Sequence, residues 1–69
     1  MLKVKRFIGS RLKALRTQAG LSTRDLGMKI KRGHSTISKI EDGTVETPSA
    51  KTIGRLCRAF NVTPDFFYN

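Results

Sequence analysis

The segment from Leu21 to Gly43 constrains the fold most, because its pattern is typical of two short helices joined by a tight turn. Ser22, followed three residues later by Asp25, predicts a capping box at the start of the first helix. Leu26 and Ile30 then repeat at a spacing of four, which gives that helix one apolar face.

The second helix of this unit is marked by Ile37 and Ile40, which again lie on one helical face. We expect Gly33 to end the first of the two helices. Asp42 followed by Gly43 predicts the end of the second, because glycine tolerates the left-handed backbone that commonly closes a helix.

Three further helices are predicted outside this unit. One precedes it and ends near Gly20, a fourth is capped by Ser49, and a fifth begins at Thr63-Pro64-Asp65. The apolar positions of the first and fourth helices are Ile8, Leu12, Leu15 and Ala19, and Ile53, Leu56, Cys57 and Phe60. The pattern therefore predicts an all-α fold of five short helices.

The length of 69 residues predicts one small domain that spans residues 1–69. Cys57 is the only cysteine and His34 the only histidine, so the sequence predicts no internal disulfide, no metal site and no cofactor. The basic N-terminus lacks the apolar run of a signal peptide or a membrane span. We expect a cytoplasmic protein without a membrane partner.

Positive charge is concentrated in one part of the chain. Residues 1–39 contain eleven Lys or Arg and one acidic residue, whereas residues 40–69 contain three Lys or Arg and four acidic residues. Residues 1–6 read as a basic N-terminal arm, and residues 22–42 hold the two-helix unit. Such a surface attracts polyanions, above all nucleic acid, although a merely solubilising surface would carry the same charges.

An enzyme is not predicted, because the sequence offers no nucleophile paired with a base and no phosphate-cradling glycine loop. RNA binding is less favoured than DNA binding, since only Phe7 interrupts the basic part and stacking platforms need more aromatic residues. A module that binds a protein partner, as an antitoxin does, remains the alternative to a DNA-binding domain.

Three stretches resemble the Cro and phage-repressor-like helix-turn-helix family, also called the Xre family. They are IGSRLKALRTQAGLS, STISKIEDG and PSAKTIGRLCRAFNVTPDFF, and together they extend from about Ile8 to Phe67. The resemblance implies a compact, five-helix, lambda-repressor-like domain that regulates transcription, most plausibly as a repressor. It also implies that the second helix lies over the DNA backbone and the third helix enters the major groove.

The third helix supplies the candidate base-reading residues. With Ile37 and Ile40 turned inward, an advance of about 100° per residue turns Ser35, Ser38 and Lys39 outward. The resemblance places base contacts at His34, Ser35, Ser38 and Lys39. Lysine donates to guanine, and serine or histidine pairs with several bases.

Glu41 lies on the inward side of the same helical wheel, where a carboxylate needs a partner. The resemblance supplies Arg16 as that partner, so we expect a structural ion pair between Arg16 and Glu41.

Contacts to the DNA backbone are expected at the start of the second helix, where free N–H groups favour an anion. The candidate residues are Arg11, Ser22, Thr23, Arg24 and Arg32. Three residues depart from the family pattern: Gly27 replaces a small alanine, Arg32 an aliphatic residue and Gly33 a capping Ser or Thr. These departures make the turn the least predictable part of the unit.

The C-terminal aromatic residues are too apolar to be fully exposed. We expect Phe66 to close the core, and we consider Phe66, Phe67 and Tyr68 as candidates for a dimer seam. A homodimer would present two recognition helices to half-sites about 34 Å apart on double-stranded DNA, and the protein would associate with the nucleoid when bound.

Overall fold

The computed structural model describes residues 6–45 and 47–68. Its elements, in chain order, are α1 (Gly9–Gln18), α2 (Thr23–Ile30), α3 (His34–Asp42), α4 (Ala50–Phe60) and a 3₁₀ turn (Pro64–Phe67). All of the predicted N-terminal arm except Arg6 lies outside the described residues. No helix within them is long and apolar enough to cross a membrane.

The helix boundaries of the central unit follow local capping. The Ser22 hydroxyl accepts a hydrogen bond from the Asp25 amide, and the Asp25 carboxylate accepts one from the Ser22 amide, which completes the predicted capping box. α3 ends at Gly43, whose φ of 87° is the left-handed geometry that favours glycine.

The end of α2 differs from the prediction. α2 ends at Ile30, and Lys31 adopts the left-handed backbone, with a φ of 59°. Gly33 is instead the extended residue that precedes α3. The helix is therefore ended by a lysine in a left-handed conformation that is unfavourable for residues with a Cβ. Lysine is not a helix-breaking residue type, so the sequence does not indicate this end.

The prediction of five helices is wrong in its last element. The residues that the structure describes form four α-helices, and Pro64–Phe67 forms a 3₁₀ turn of four residues. Continuation as an α-helix is prevented because Tyr68 is extended and forms an isolated antiparallel bridge with Phe7. The Ile8 amide also donates to the Phe67 carbonyl, over 2.7 Å.

The core is formed by one side of every helix together with the 3₁₀ turn. Its most completely buried side chains are Leu12, Leu26, Ile30, Ile37, Ile40, Leu56 and Phe67. The prediction that Phe66 closes the core is wrong: Phe67 is fully buried, whereas Phe66 is 39% exposed. Phe67 stacks on Phe7 with ring centroids 5.1 Å apart. Local periodicity does not predict this contact, because the two residues are far apart in the sequence.

The proposed dimer seam is reduced by the same finding. Phe67 cannot contribute to a seam because it has no exposed surface, and Tyr68 is half-buried with its ring edge-on against Phe7. Phe66 is the one member of the set whose side chain is exposed.

Candidate nucleic-acid interface

α3 presents a polar face to solvent and an apolar face to the core. Ile37 and Ile40 are buried on the inner face, whereas the candidate base-reading residues are all exposed on the outer face. These residues are His34, Ser35, Ser38 and Lys39. Among the described residues, none of their side chains forms a hydrogen bond, so their donors and acceptors are available to a ligand.

The C-terminal half of α3 is held on α1 by the ion pair between Arg16 and Glu41. Arg16 Nε donates to Glu41 Oε2 over 2.7 Å, and Arg16 Nη2 donates to Glu41 Oε1 over 3.1 Å. The two side chains are only 12% and 7% exposed. The hydrogen bond with Glu41 raises the pKa of Arg16, which favours the charged guanidinium.

Arg16 also links α3 to the start of α2, because its Nη1 donates to the Leu21 carbonyl over 2.8 Å. One guanidinium therefore connects the C-terminal part of α1, the residue before the α2 cap, and the last turn of α3. Bidentate pairing fixes direction as well as distance, so this contact sets how α3 is oriented.

Gly9 allows α1 to approach α3 closely. A Cβ added at Gly9 would overlap the Ile40 carbonyl and lie 2.8 Å from the Glu41 carbonyl. Neither neighbour is a flexible side chain, so this contact requires glycine. Sequence reasoning did not select Gly9, because nothing in the local pattern distinguishes it from a helix-start glycine.

A polar groove lies between α1, α2 and α3. It has a volume of about 330 Å³ and is lined by Lys13, Arg16, Thr23, Ser38, Glu41 and Asp42. The groove brings Thr23, a predicted backbone contact, next to the predicted base contact Ser38. It also adds Lys13, which the sequence-based site omitted, although its position three residues before Arg16 puts it on the same side of α1.

Two of the predicted backbone contacts are engaged within the protein. Arg11 Nη1 donates to the carbonyls of Phe66 and Tyr68, each over 3.0 Å, so Arg11 braces the C-terminal 3₁₀ turn. Arg32 Nε donates to Thr52 Oγ1 over 3.1 Å and ties the turn before α3 to α4.

The turn before α3 requires a glycine that faces it. A Cβ at Gly27 would lie 2.5 Å from the Arg32 carbonyl, so the alanine typical of the family does not fit this backbone. The departures at Gly27 and Arg32 are therefore related. The side chain of Arg32 donates to Thr52, and the backbone carbonyl of Arg32 packs against Gly27, where a Cβ would not fit.

Both acidic residues at the borders of the interface are held as carboxylates. Hydrogen bonds with Ser22 lower the pKa of Asp25, and those with Thr44 lower the pKa of Asp42, to which the charge of Lys39 adds. Asp42 Oδ1 accepts from the Thr44 amide over 2.8 Å. Each of these carboxylates therefore uses one oxygen to accept from a backbone amide at a helix end.

The arrangement of α2 and α3 defines a helix-turn-helix domain. A family model described as a helix-turn-helix domain matches residues 8–65, so the chain belongs to this family. Within it, the structural relatives place the chain in the Cro and phage-repressor (Xre) type. A search of curated proteins finds no match.

Three solved structures illustrate the likeness. The restriction-modification controller protein C.AhdI from Aeromonas hydrophila is 30% identical, with a TM-score of 0.77 over 86% of this chain and 88% of that one. SinR, the master regulator of biofilm formation, solved in complex with DNA, is 27% identical, with a TM-score of 0.79 over 86% and 97%. The P22 c2 repressor, in complex with a synthetic operator, has a TM-score of 0.82 over 88% and 91% and, at 24% identity, shows the fold alone.

Proposed function

We propose that this protein is a sequence-specific, double-stranded-DNA-binding transcription regulator, a repressor that binds a pseudo-palindromic operator as a dimer. The observation that carries the proposal is the outer face of α3, which exposes four polar side chains that form no hydrogen bond within the described residues. Its inner face is fixed by Ile37, Ile40 and the ion pair. A helix held in this way fits the major groove with its polar face toward the base edges.

The roles of the base-reading residues follow from their chemistry. Lys39 donates to O6 and N7 of guanine, and Ser35 and Ser38 pair with more than one base. His34 stands at the first residue of α3 and can donate or accept. A set without Arg, Asn or Gln has few bidentate partners, so a share of the specificity comes from DNA shape.

Phosphate contacts come from the start of α2 and the groove beside it. The Ser22 hydroxyl accepts from the Asp25 amide, which leaves its proton for a phosphate oxygen. Thr23, the exposed Arg24 and Lys13 of the neighbouring groove complete the anchoring set. The engaged residues Arg11 and Arg32 support the domain and contribute to the field around it.

Two relatives support this function by analogy. The controller protein C.AhdI is 30% identical, and SinR, at 27% identity, was solved with DNA. A dimer is consistent with the operators that helix-turn-helix proteins bind, in which two half-sites about 10 base pairs apart match a two-fold axis. The exposed Phe66 offers an apolar contact for a second protomer.

The test begins with in vitro selection of a preferred duplex from a random library, followed by titration of the selected and a scrambled duplex at two salt concentrations. Lys39→Ala should weaken binding to the selected duplex by about tenfold or more, because a base contact contributes about 1–3 kcal/mol, and should change binding to the scrambled duplex much less. Arg24→Ala is the matched comparison and should weaken both duplexes about equally, as expected for a phosphate contact.

Equal affinity of the protein for the two duplexes would exclude sequence-specific recognition. Sedimentation with the selected duplex should show two protomers on each duplex, and a single protomer at saturation would refute the dimer.

A further inference from the structure

A second basic surface lies at the opposite end of α2 from the candidate interface. A cavity of about 310 Å³ is lined by Lys29, Ile30, Lys31, Arg55, Arg58 and Ala59. An adjacent cavity of about 330 Å³ shares Arg55 and Arg58 and adds Lys51 and Gly54. Together they form one groove, here called the α2–α4 groove, that contains five cationic side chains.

The α2–α4 groove is separate from the candidate interface. It shares no residue with the groove beside Thr23 and Ser38. The start of α2 belongs to the interface and its end to the α2–α4 groove, and eight helical residues span about 12 Å. The proposed contacts with the first duplex therefore use none of the residues that line the α2–α4 groove.

The groove is organised by a contact between the two helices. Arg55 Nη1 donates to the Ile30 carbonyl at the end of α2, over 3.1 Å, which keeps this guanidinium at the junction. Lys51, Arg55 and Arg58 follow one another at steps of four and three residues, so they form a row along α4. The row extends for about 10 Å along the helix axis.

Helix-dipole compensation accounts for only part of this charge. Lys29 and Arg58 each lie in the last turn of a helix, where a cation is favourable. Lys31, Lys51 and Arg55 are additional to that requirement. α4 contains no acidic residue, and no Asp or Glu among the described residues lines either cavity.

The lining favours phosphates over an acidic protein. Among the described residues, the lining other than the cations consists of Ile30, Gly54 and Ala59, and none of these is aromatic. Protein interfaces are anchored by buried aromatic and large apolar residues, whereas a nucleic-acid backbone needs a row of Lys and Arg.

We propose that the α2–α4 groove binds the phosphate backbone of a second DNA duplex, so that one domain bridges two DNA segments. The proposal rests on the proposed function for the first duplex and adds a second, sequence-independent contact. Bridging of this kind joins distant sites on one DNA molecule or compacts neighbouring segments.

The experiment uses a donor-labelled duplex selected for the α3 face and an acceptor-labelled duplex of scrambled sequence. The protein is first saturated with the selected duplex, and energy transfer then reports binding of the scrambled one at several salt concentrations. The groove variant Lys29→Gln/Lys31→Asn/Arg58→Gln keeps Arg55 in place and gives the left-handed position an asparagine, which tolerates that geometry. The comparison variant Lys13→Gln/Arg24→Gln/Lys39→Gln removes the same charge from the α3 side.

The wild type should show energy transfer that weakens steeply with salt. For the scrambled duplex, log K falls linearly with log salt, and in the groove variant this slope should become about 2.7 less steep, as expected for three lost phosphate contacts. The affinity for the selected duplex alone, measured by fluorescence anisotropy, should stay within about twofold of the wild type. The comparison variant should lose the selected duplex, and its failure to do so would count against the proposed function and not against the groove.

Equal energy transfer in the wild type and the groove variant would overturn the proposal, because bridging would then come from dimers that use two α3 faces. It would also be overturned if the wild type showed no energy transfer but bound a polyglutamate peptide that the groove variant did not bind. In that case the α2–α4 groove would take an acidic protein. Unchanged circular dichroism and melting temperature establish that each variant is folded.

Discussion

The two ends of α3 are held in different ways. At the C-terminal end, the bidentate ion pair, the close approach of Gly9 and the left-handed Gly43 fix the last turn. At the N-terminal end, Gly33 offers no side-chain cap, and the turn depends on backbone packing over Gly27. The candidate base-reading residues begin at this less constrained end.

This difference separates orientation from adaptation. The C-terminal end sets the direction of α3, because directional hydrogen bonds resist rotation. The turn before the N-terminal end is tied to α4 by one hydrogen bond, from Arg32 to Thr52, and not by a bidentate ion pair, so small adjustments of His34 and Ser35 against DNA cost less. The following changes, in order of decreasing effect, test whether stability and adaptability are divided in this way.

Replacement of Glu41 by alanine should have the largest effect. The variant leaves the Arg16 charge nearly buried without its partner, and the free energy of unfolding should fall by about 3 kcal/mol. The melting temperature should then fall by about 12–24 °C for a domain of this size. Glu41→Gln is the matched control and should lose less, because it keeps a hydrogen-bond acceptor. An unchanged melting temperature of Glu41→Ala would refute the assignment of α3 orientation to this pair.

Alanine at the close-approach glycines should come next. Gly9→Ala meets two backbone carbonyls, and Gly27→Ala meets one beside a turn, so we expect losses of about 2–3 and about 1–2 kcal/mol, respectively. Gly54→Ala is the control, because its Cβ has no neighbour within 4 Å, and it should stabilise α4 by about 0.5–1 kcal/mol. Urea denaturation of all three measures the order, and a larger loss at Gly27 than at Gly9 would reverse the comparison of the two ends.

The smallest effect is expected from Gly33→Ser. The backbone at Gly33 is extended and its Cβ position is open, so serine can supply the missing cap. The free energy of unfolding should rise by about 0.3 kcal/mol. Amide hydrogen exchange should slow in the first turn of α3 and remain unchanged in its last turn. Equal slowing in both turns would show that the helix responds as one unit.

Local rules predicted most of the helices because those helices depend on local contacts. The Ser22–Asp25 capping box, the Ser49 cap and the apolar spacing of Ile37 and Ile40 all involve residues within one turn of each other. The inward orientation of Glu41 also followed from periodicity. Its partner Arg16 came from family resemblance, since no spacing rule relates residues on separate helices.

The errors occurred where distant residues decide the outcome. Phe67, and not Phe66, is in the core because it stacks on Phe7. The backbone bridge between Phe7 and Tyr68 ends the last element after one 3₁₀ turn. Local rules also gave no sign that Arg11 donates to two carbonyls of the C-terminal turn, and its contact with the DNA backbone stays a prediction. Lys31 closes α2 in a left-handed geometry that its residue type does not indicate.

The pairing of Phe7 with Phe67 and Tyr68 also affects how the domain forms during synthesis. The ribosome adds Phe67 and Tyr68 about sixty residues after Phe7, so the hydrophobic core is incomplete until these two residues emerge. A nascent chain that already displays every residue of α3 still lacks the closed domain that holds this helix in place. The domain can therefore hold α3 in place only after Phe67 and Tyr68 have emerged.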